Sequence, residues 1–278
     1  MSEYKIFANH AHVFPKGSKD NAQLENLKQL MSECSIEGAV CFAPFNHQTE
    51  RVGIKESPNI WLYNEIKNEN NLVGFGTINF DKTDIKEQVR EIKELGFKGI
   101  KIHPAAQELK VDGKELFEAY SEAEKHNLFI SFHTGLHWHR IRDYSMLLFD
   151  EVAYNFPGLR FSLEHVGGYS FFKEALLVMN NNERNGNGVY AGLTSIAMEK
   201  DEFGIEREGA WSLTDEQLCV LIHQTGAKNS IFGLDFPYKD VNYTKNAIER
   251  IKNLPVSEEA KRGILGENIK AVLGIQSR

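Results

Sequence analysis

Cysteine is scarce in this chain: Cys34, Cys41 and Cys219 are odd in number and far apart. That excludes a disulfide framework and a zinc site built from cysteines. No apolar run approaches the roughly 20 residues that a membrane-spanning helix needs. The opening Met1-Ser2-Glu3-Tyr4-Lys5 also lacks the apolar centre of a signal peptide. A cytoplasmic protein without a membrane partner is the expectation. Positive charge is in deficit too, with 32 Lys and Arg against 39 Asp and Glu, a net −7. Phosphate-backbone binding needs clustered cations, so a nucleic-acid partner is not expected, whereas a small anionic substrate needs only one or two basic residues. Low-complexity sequence is absent. The most polar stretch, Asn180 to Gly188, reads as a loop between two elements rather than a linker between domains.

What is present is an ordinary globular composition over 278 residues, with 41% hydrophobic and 26% charged residues. One large α/β barrel accommodates that length, and residues 1–278 are read as a single domain. Short apolar runs recur, each followed by a segment with helical periodicity. The strands are expected at Ile6–His10, Gly38–Ala43, Leu72–Asn79, Phe97–Pro104, Leu128–Gly135, Leu159–Gly168, Val189–Thr194 and Ser230–Phe236. Between them lie helices marked by Leu24, Leu27, Leu30 and Met31, by Pro58 as a first helical residue, by Gly96 as a stop, and by Thr214 as a cap. Eight strand-then-helix units with near-continuous apolar strands predict an all-parallel sheet closed into a (β/α)8 TIM barrel. A doubly wound open sheet is disfavoured because no glycine-rich phosphate turn follows the first strand.

The chemistry gathers at the ends of the strands. In Asn9-His10-Ala11-His12 the two histidines fall on one face of a strand, with Asn9 expected to point away from them. His103, His133, His165 and Asp235 lie at the ends of later strands. Of the ten histidines, only His126 and His223 fall within or at the end of a helix; the rest belong to strand ends or the loops that leave them. Any one of these alone would be an ordinary hydrogen-bonded polar residue. Together they predict a site for a transition metal held by imidazole and carboxylate, and zinc, manganese, iron and nickel all suit such donors.

These motifs resemble the amidohydrolase superfamily, in particular its amidohydrolase-2 branch of metal-dependent barrels. The opening Asn9-His10-Ala11-His12 is similar to the Asp-x-His-x-His start of that family. Phe97 to Pro104, Phe132-His133-Thr134-Gly135, Glu164 to Gly168 and Gly233 to Tyr238 resemble its later strand motifs, and Ile264 to Gly274 its closing helix. The resemblance implies that His10, His12, His133 and Asp235 bind the metal. It places His165 beside the activated water, as a further ligand or an orienting acid/base. Asp235 would accept the water's proton and pass it to the leaving group. One ion, most naturally zinc, is expected. Lys101 and His103 share a face of the fourth strand, and some superfamily members carry a carboxylated lysine there that bridges two metals. Lys101 can fill that role, pair with an acid, or contact substrate. In the loop after the fifth strand, Trp138, His139 and Arg140 are candidate substrate contacts beside His137, and Arg140 or Arg142 can hold a carboxylate. Tyr169, His47 and Tyr238 lie in other rim loops. The long segment from about Ser195 to Trp211 reads as a lid or a surface loop.

The expected activity is metal-dependent hydrolysis of an ester, lactone or amide bond in a small substrate. The same branch uses the same ligands for non-oxidative decarboxylation of a small unsaturated or aromatic acid, which is the alternative. A TatD-like nuclease is more remote, because such enzymes carry a Gly-Glu-Ile-Gly-like strand that is not found here. A barrel that binds a ligand without turning it over is the non-enzymatic reading. A homodimer is expected only as the commonest oligomer.

Overall fold

Leu24, Leu27, Leu30 and Met31 recur at helical spacing, and in the structure all four are buried along one side of the helix Leu24–Glu33. The coordinates are a computed structural model and describe residues 4–82, 84–183, 188–200, 202–203, 205–207 and 209–276. Residues 1–3 of the opening and residues 184–187 of the polar stretch lie outside the described residues. Local chemistry ends the helices where it was expected to. Ser57 caps the helix Pro58–Ile66 by accepting from the Asn59 amide at 3.2 Å. Thr214 and Gln217 form a reciprocal capping box at the start of Asp215–Thr225. Gly96, at φ +77°, turns the chain after Ile85–Glu94.

The strands β1 (Ile6–His12), β2 (Ile36–Phe42), β3 (Leu72–Gly76), β4 (Gly99–Ile102), β5 (Phe129–His133), β6 (Arg160–Glu164) and β7 (Gly188–Leu193) run in chain order around a closed barrel. The segment expected as a lid or loop carries a two-residue ribbon, β8 (Glu199–Lys200) against β9 (Glu206–Arg207), and residues 201, 204 and 208 lie outside the described residues. The last strand, β10 (Ser230–Phe236), pairs in parallel with both β7 and β1 and closes the ring. The expected eight-stranded parallel barrel is therefore the observed one. Among the described residues, no helix is long and apolar enough to cross a membrane.

Alternate residues sort to the two faces of the barrel wall. Ala39 and Cys41 on β2, Ile100 and Ile102 on β4, Ile130 and Phe132 on β5, and Phe161 and Leu163 on β6 belong to the core shared with the helices. Phe7, Val40, Phe42, Phe75, Phe129 and Ile231 form a separate apolar cluster. It fills the barrel's interior, and their alternation partners Lys101, Ser131, Ser162 and Glu164 continue the inward face as buried polar groups. The interior thus changes from apolar to polar along its axis.

Several boundaries differ from expectation. β4 ends at Ile102, one residue before His103, and β6 ends at Glu164. His165 begins a tight turn with φ +64° instead of ending a strand. His47 lies in a short helix, Asn46–Glu50, rather than in an open loop.

Candidate metal centre

β1 places both of its histidines by breaking its own alternation. Ile6 and Ala8 face the helices and Phe7 faces the interior, so Asn9 also faces inward and His10 would face out. Instead His10 adopts φ +66°, and the pairing of β1 shifts register between Asn9 and Ala11 against β10 and between Ala8 and Ala11 against β2. This bulge turns His10 inward as well, and Ala11 and Val13 return to the helix side. Asn9 therefore does not point away from the histidines, as strand parity alone suggested. It is fully buried and donates from Nδ2 to Glu164 Oε1 at 2.8 Å. Ser195 (φ +56°) and Asp235 (φ +58°) share the left-handed conformation. Such strain costs on the order of 1–3 kcal/mol per residue and collects where side chains must be aimed against local preference.

The three aimed groups converge. His10, His12 and Asp235 offer ligand atoms that all lie within 4.8 Å of one another. The Nε2 atoms of His10 and His12 are 3.1 Å apart, and Asp235 Oδ1 is 3.4 Å from His10 Nε2. Asp235 Oδ2 accepts from the Ser195 hydroxyl at 2.5 Å. The Nδ1 of His10 donates to Glu164 Oε2 at 2.9 Å, which leaves Nε2 with a lone pair directed at His12 and Asp235. Two imidazole nitrogens and a carboxylate oxygen converging this way form a donor set suited to one divalent transition ion.

Charge states favour the same use. Burial drives the imidazole pKa of His10 and His12 well below the ordinary range, helped at His10 by the neighbouring Lys101 ammonium and at His12 by His10. Neutral imidazole is the form that ligates. Burial pushes the Asp235 carboxyl up, but His10, His165, the Ser195 hydroxyl and Lys101 together outweigh it and hold the group below the usual carboxylate range. Lys101 is almost fully buried, with Nζ 3.5 Å from His10 Nε2 and 5.0 Å from the centre of the Phe42 ring. Burial brings its pKa down to about 8, against the pull of Glu164 and Asp235.

His133 and His165 stand beside this triad rather than within it. The His165 ring lies 5.5 Å from that of His10 and 4.9 Å from that of His133. His165 Nδ1 donates to the Thr194 carbonyl at 2.8 Å, leaving Nε2 unprotonated. His133 Nε2 is buried without a hydrogen-bond partner among the described residues, which suits an atom that takes a ligand or an ion. His103 stacks on His133 at 3.8 Å, and His137 packs against both rings. Trp211, from the long loop, covers His165 at 5.7 Å. Room for its indole comes from Gly135 and Gly168, where an added Cβ would lie 3.1 and 3.2 Å from Trp211.

The expected substrate contacts stand further out. Trp138 is 95% exposed, Arg140 is exposed and Tyr169 is half exposed. His139 turns to Asp143, with Nε2 3.7 Å from Oδ2. Tyr238 comes closer, its ring 5.8 Å from that of His12 and edge-on to it. Glu164, Thr194 and Ser195 were not singled out from the sequence. A usable signal existed for Glu164: with Ser162 it places two polar side chains two residues apart on the inward face of an otherwise apolar strand.

Comparison with known proteins bears on the family and the fold. A model of the amidohydrolase family (Amidohydro_2) matches residues 61–275. No curated protein matches the chain. Among solved structures, the 5-carboxyvanillate decarboxylase of Sphingomonas paucimobilis is similar at TM-score 0.69 and 14% identity, covering 99% of this chain and 100% of its own. A Pseudomonas putida protein provisionally assigned as a 2-pyrone-4,6-dicarboxylic acid hydrolase is similar at TM-score 0.72 and 16% identity, with 100% of each chain covered. A dihydroxybenzoic acid decarboxylase from Polaromonas sp. JS666, solved with bound manganese and an inhibitor, is similar at TM-score 0.69 and 14% identity, covering 99% of this chain and 98% of its own. Identities this low establish a shared fold and no more. The family match spans well over half of the sequence, and this chain belongs to the amidohydrolase family.

Proposed function

We propose that this protein is a metal-dependent hydrolase of a small cyclic or carboxylate-bearing substrate, cleaving an ester, lactone or amide bond. The observation that carries this reading is the convergence of His10, His12 and Asp235 at the mouth of the barrel. A divalent ion, zinc first and manganese next, would supply Lewis acidity and a water acidic enough to lose its proton near neutral pH. His10, His12 and Asp235 would hold it, with His133 and His165 as further donors beside them. Asp235 takes the proton from the attacking water and returns it to the oxygen or nitrogen that leaves as the carbonyl bond breaks. Its Ser195 hydrogen bond fixes one oxygen for that exchange. His165, with Nδ1 fixed on a carbonyl, orients its Nε2 toward the reacting group. Lys101 offers a buried cation to an anionic substrate, and Trp138, His139, Arg140 and Tyr169 form the outer rim that a larger substrate would meet.

Decarboxylation is the second reading. It is favoured by the decarboxylases of aromatic acids among the solved structures that share this fold. The two readings separate on products. Metal-loaded protein would be incubated with a panel of lactones, aryl esters and hydroxylated aromatic acids, while proton release and carbon dioxide are followed in parallel. Hydrolysis predicts acid release with no carbon dioxide. Carbon dioxide from an aromatic acid would move the assignment to the second reading. No bound metal after loading with zinc or manganese would sink both.

A further inference from the structure

Beneath the triad, Glu164 is fully buried and takes part in five side-chain hydrogen bonds. Its Oε1 accepts from Asn9 Nδ2 at 2.8 Å, from the Ser131 hydroxyl at 3.0 Å, and from the Ser162 hydroxyl. Its Oε2 accepts from His10 Nδ1 at 2.9 Å and from the Thr194 hydroxyl at 2.7 Å. The donors come from β1, β5, β6 and the end of β7, so one carboxylate ties four parts of the barrel wall together. Space has been kept for it: a Cβ at Gly192 would lie 2.3 Å from Glu164 Oε2. A Cβ at Gly233 would lie 2.1 Å from the Thr194 hydroxyl that donates to it.

Such an arrangement is far more than is needed to satisfy a buried acid, and its output is directional. A carboxylate can only accept, so the His10 nitrogen facing it must carry the proton. The opposite nitrogen then presents its lone pair to His12 and Asp235. Thr194 carries the effect further, because its hydroxyl is fixed by Glu164 while its carbonyl fixes Nδ1 of His165. We infer that Glu164 is the positioning residue of this centre. It locks His10 in the Nδ1–H tautomer and thereby sets the affinity of the triad for a divalent ion. The inference rests on the metal-dependent reading above.

The experiment uses the full-length protein with cobalt(II) as the probe, comparing wild type, Glu164→Gln, Ser131→Ala and Ser162→Ala. Cobalt affinity is read by chelator competition, the ligand field by visible absorption, and the His10 tautomer by 15N-histidine NMR of the metal-free protein, assigned with His10→Gln. Glu164→Gln removes the charge and turns one of the two acceptor oxygens into an NH2 donor that faces donors on either side, and is expected to weaken cobalt binding about 10- to 100-fold and alter the visible bands. Ser131→Ala and Ser162→Ala remove one donor each but keep the His10 bond, and are expected to hold affinity within about threefold while lowering the melting temperature. Wild-type His10 is expected to show a protonated Nδ1 and a bare Nε2. The inference is overturned if folded Glu164→Gln binds cobalt as tightly as wild type, or if wild-type His10 is the Nε2–H tautomer. Should Glu164→Gln fail to fold, the wild-type tautomer and the two single-donor variants decide. Wild type that takes up no cobalt refutes the metal-dependent reading itself, a result distinct from equal binding by wild type and variant.

Discussion

Lys101 shows how a residue can oppose the fold and still be kept by the site. An ammonium buried in the barrel and pushed down to about 8 by loss of solvent is a destabilising group at neutral pH. A shift of this size corresponds to about 3 kcal/mol. Between pH 8 and the ordinary lysine range the unfolded chain binds the extra proton, so stability rises with pH there and the full penalty applies below 8. Lys101→Met is therefore expected to stabilise the metal-free protein at pH 7 by about 1–3 kcal/mol, measured by urea unfolding. The same substitution removes a cation 3.5 Å from His10 Nε2. Cobalt binding should tighten about tenfold as that repulsion disappears. Unchanged stability and weaker cobalt binding would together mean that Lys101 donates to the ion instead of repelling it. The histidines carry a pH dependence of the same sign in a lower window. His10, His133 and His165 are buried with imidazole pKa values lowered by desolvation, so the unfolded chain takes up more protons below about pH 6.5. Stability of the metal-free protein should then fall as pH drops from 7 to 5, by up to about 1.4 kcal/mol per pH unit for each such histidine. Urea midpoints that do not move over that range would contradict the buried, neutral assignment.

At the scale of elements, β1 and the loop after β7 do most to build the site. The bulge at His10 brings Asn9, His10 and His12 to one side, a result that simple alternation forbids. β7 contributes by omission: Gly192 leaves the volume that Glu164 occupies. Gly192→Ala should displace that carboxylate, destabilise the fold by about 1–3 kcal/mol through overpacking, and weaken cobalt binding in step. A variant that loses stability while keeping wild-type cobalt affinity would uncouple the two. The long loop is closed at its neck by Arg250. Its guanidinium donates to the carbonyls of Ile196 (2.7 Å) and Leu213 and, through Nε, to Asp215 Oδ1 at 2.6 Å. Arg250→Ala removes the donor to the Leu213 carbonyl and leaves Ile196 with the Leu213 amide alone, and is expected to cost about 1–3 kcal/mol. Faster proteolysis within residues 195–213 would accompany it, since the neck no longer holds Trp211 over His165.

For the whole molecule, closure of the barrel makes the site a property of many strands at once. The triad comes from β1 and β10, the first and last strands, which become neighbours only when the ring closes, and Lys101 on β4 and His133 on β5 reach it across the barrel. Binding of an ion is therefore coupled to the global fold. Zinc or cobalt at about 100 times its dissociation constant should raise the unfolding free energy by about 2.7 kcal/mol, and a chelator should reverse it. Differential scanning fluorimetry of wild type against His10→Ala with His12→Ala checks this: only the wild type should gain stability from the metal.

The sequence by itself determined the barrel, because strand-and-helix periodicity, caps and turn glycines are local signals that each segment carries independently of the others. It also pointed to His10, His12, His133, His165 and Asp235 as neighbours, because barrel geometry puts strand ends on one rim, and the structure brings His10, His12 and Asp235 together. What it did not contain was the aim of each side chain. Strand parity predicted that Asn9 would turn away, and a single left-handed residue reversed that by adding one position to the strand. Glu164 stayed hidden because its five hydrogen bonds come from residues 9, 10, 131, 162 and 194, which only a closed barrel brings within reach. Local periodicity decides which elements form; where their side chains meet is decided by closure of the ring and by the bulges in its wall, which are properties of the tertiary structure.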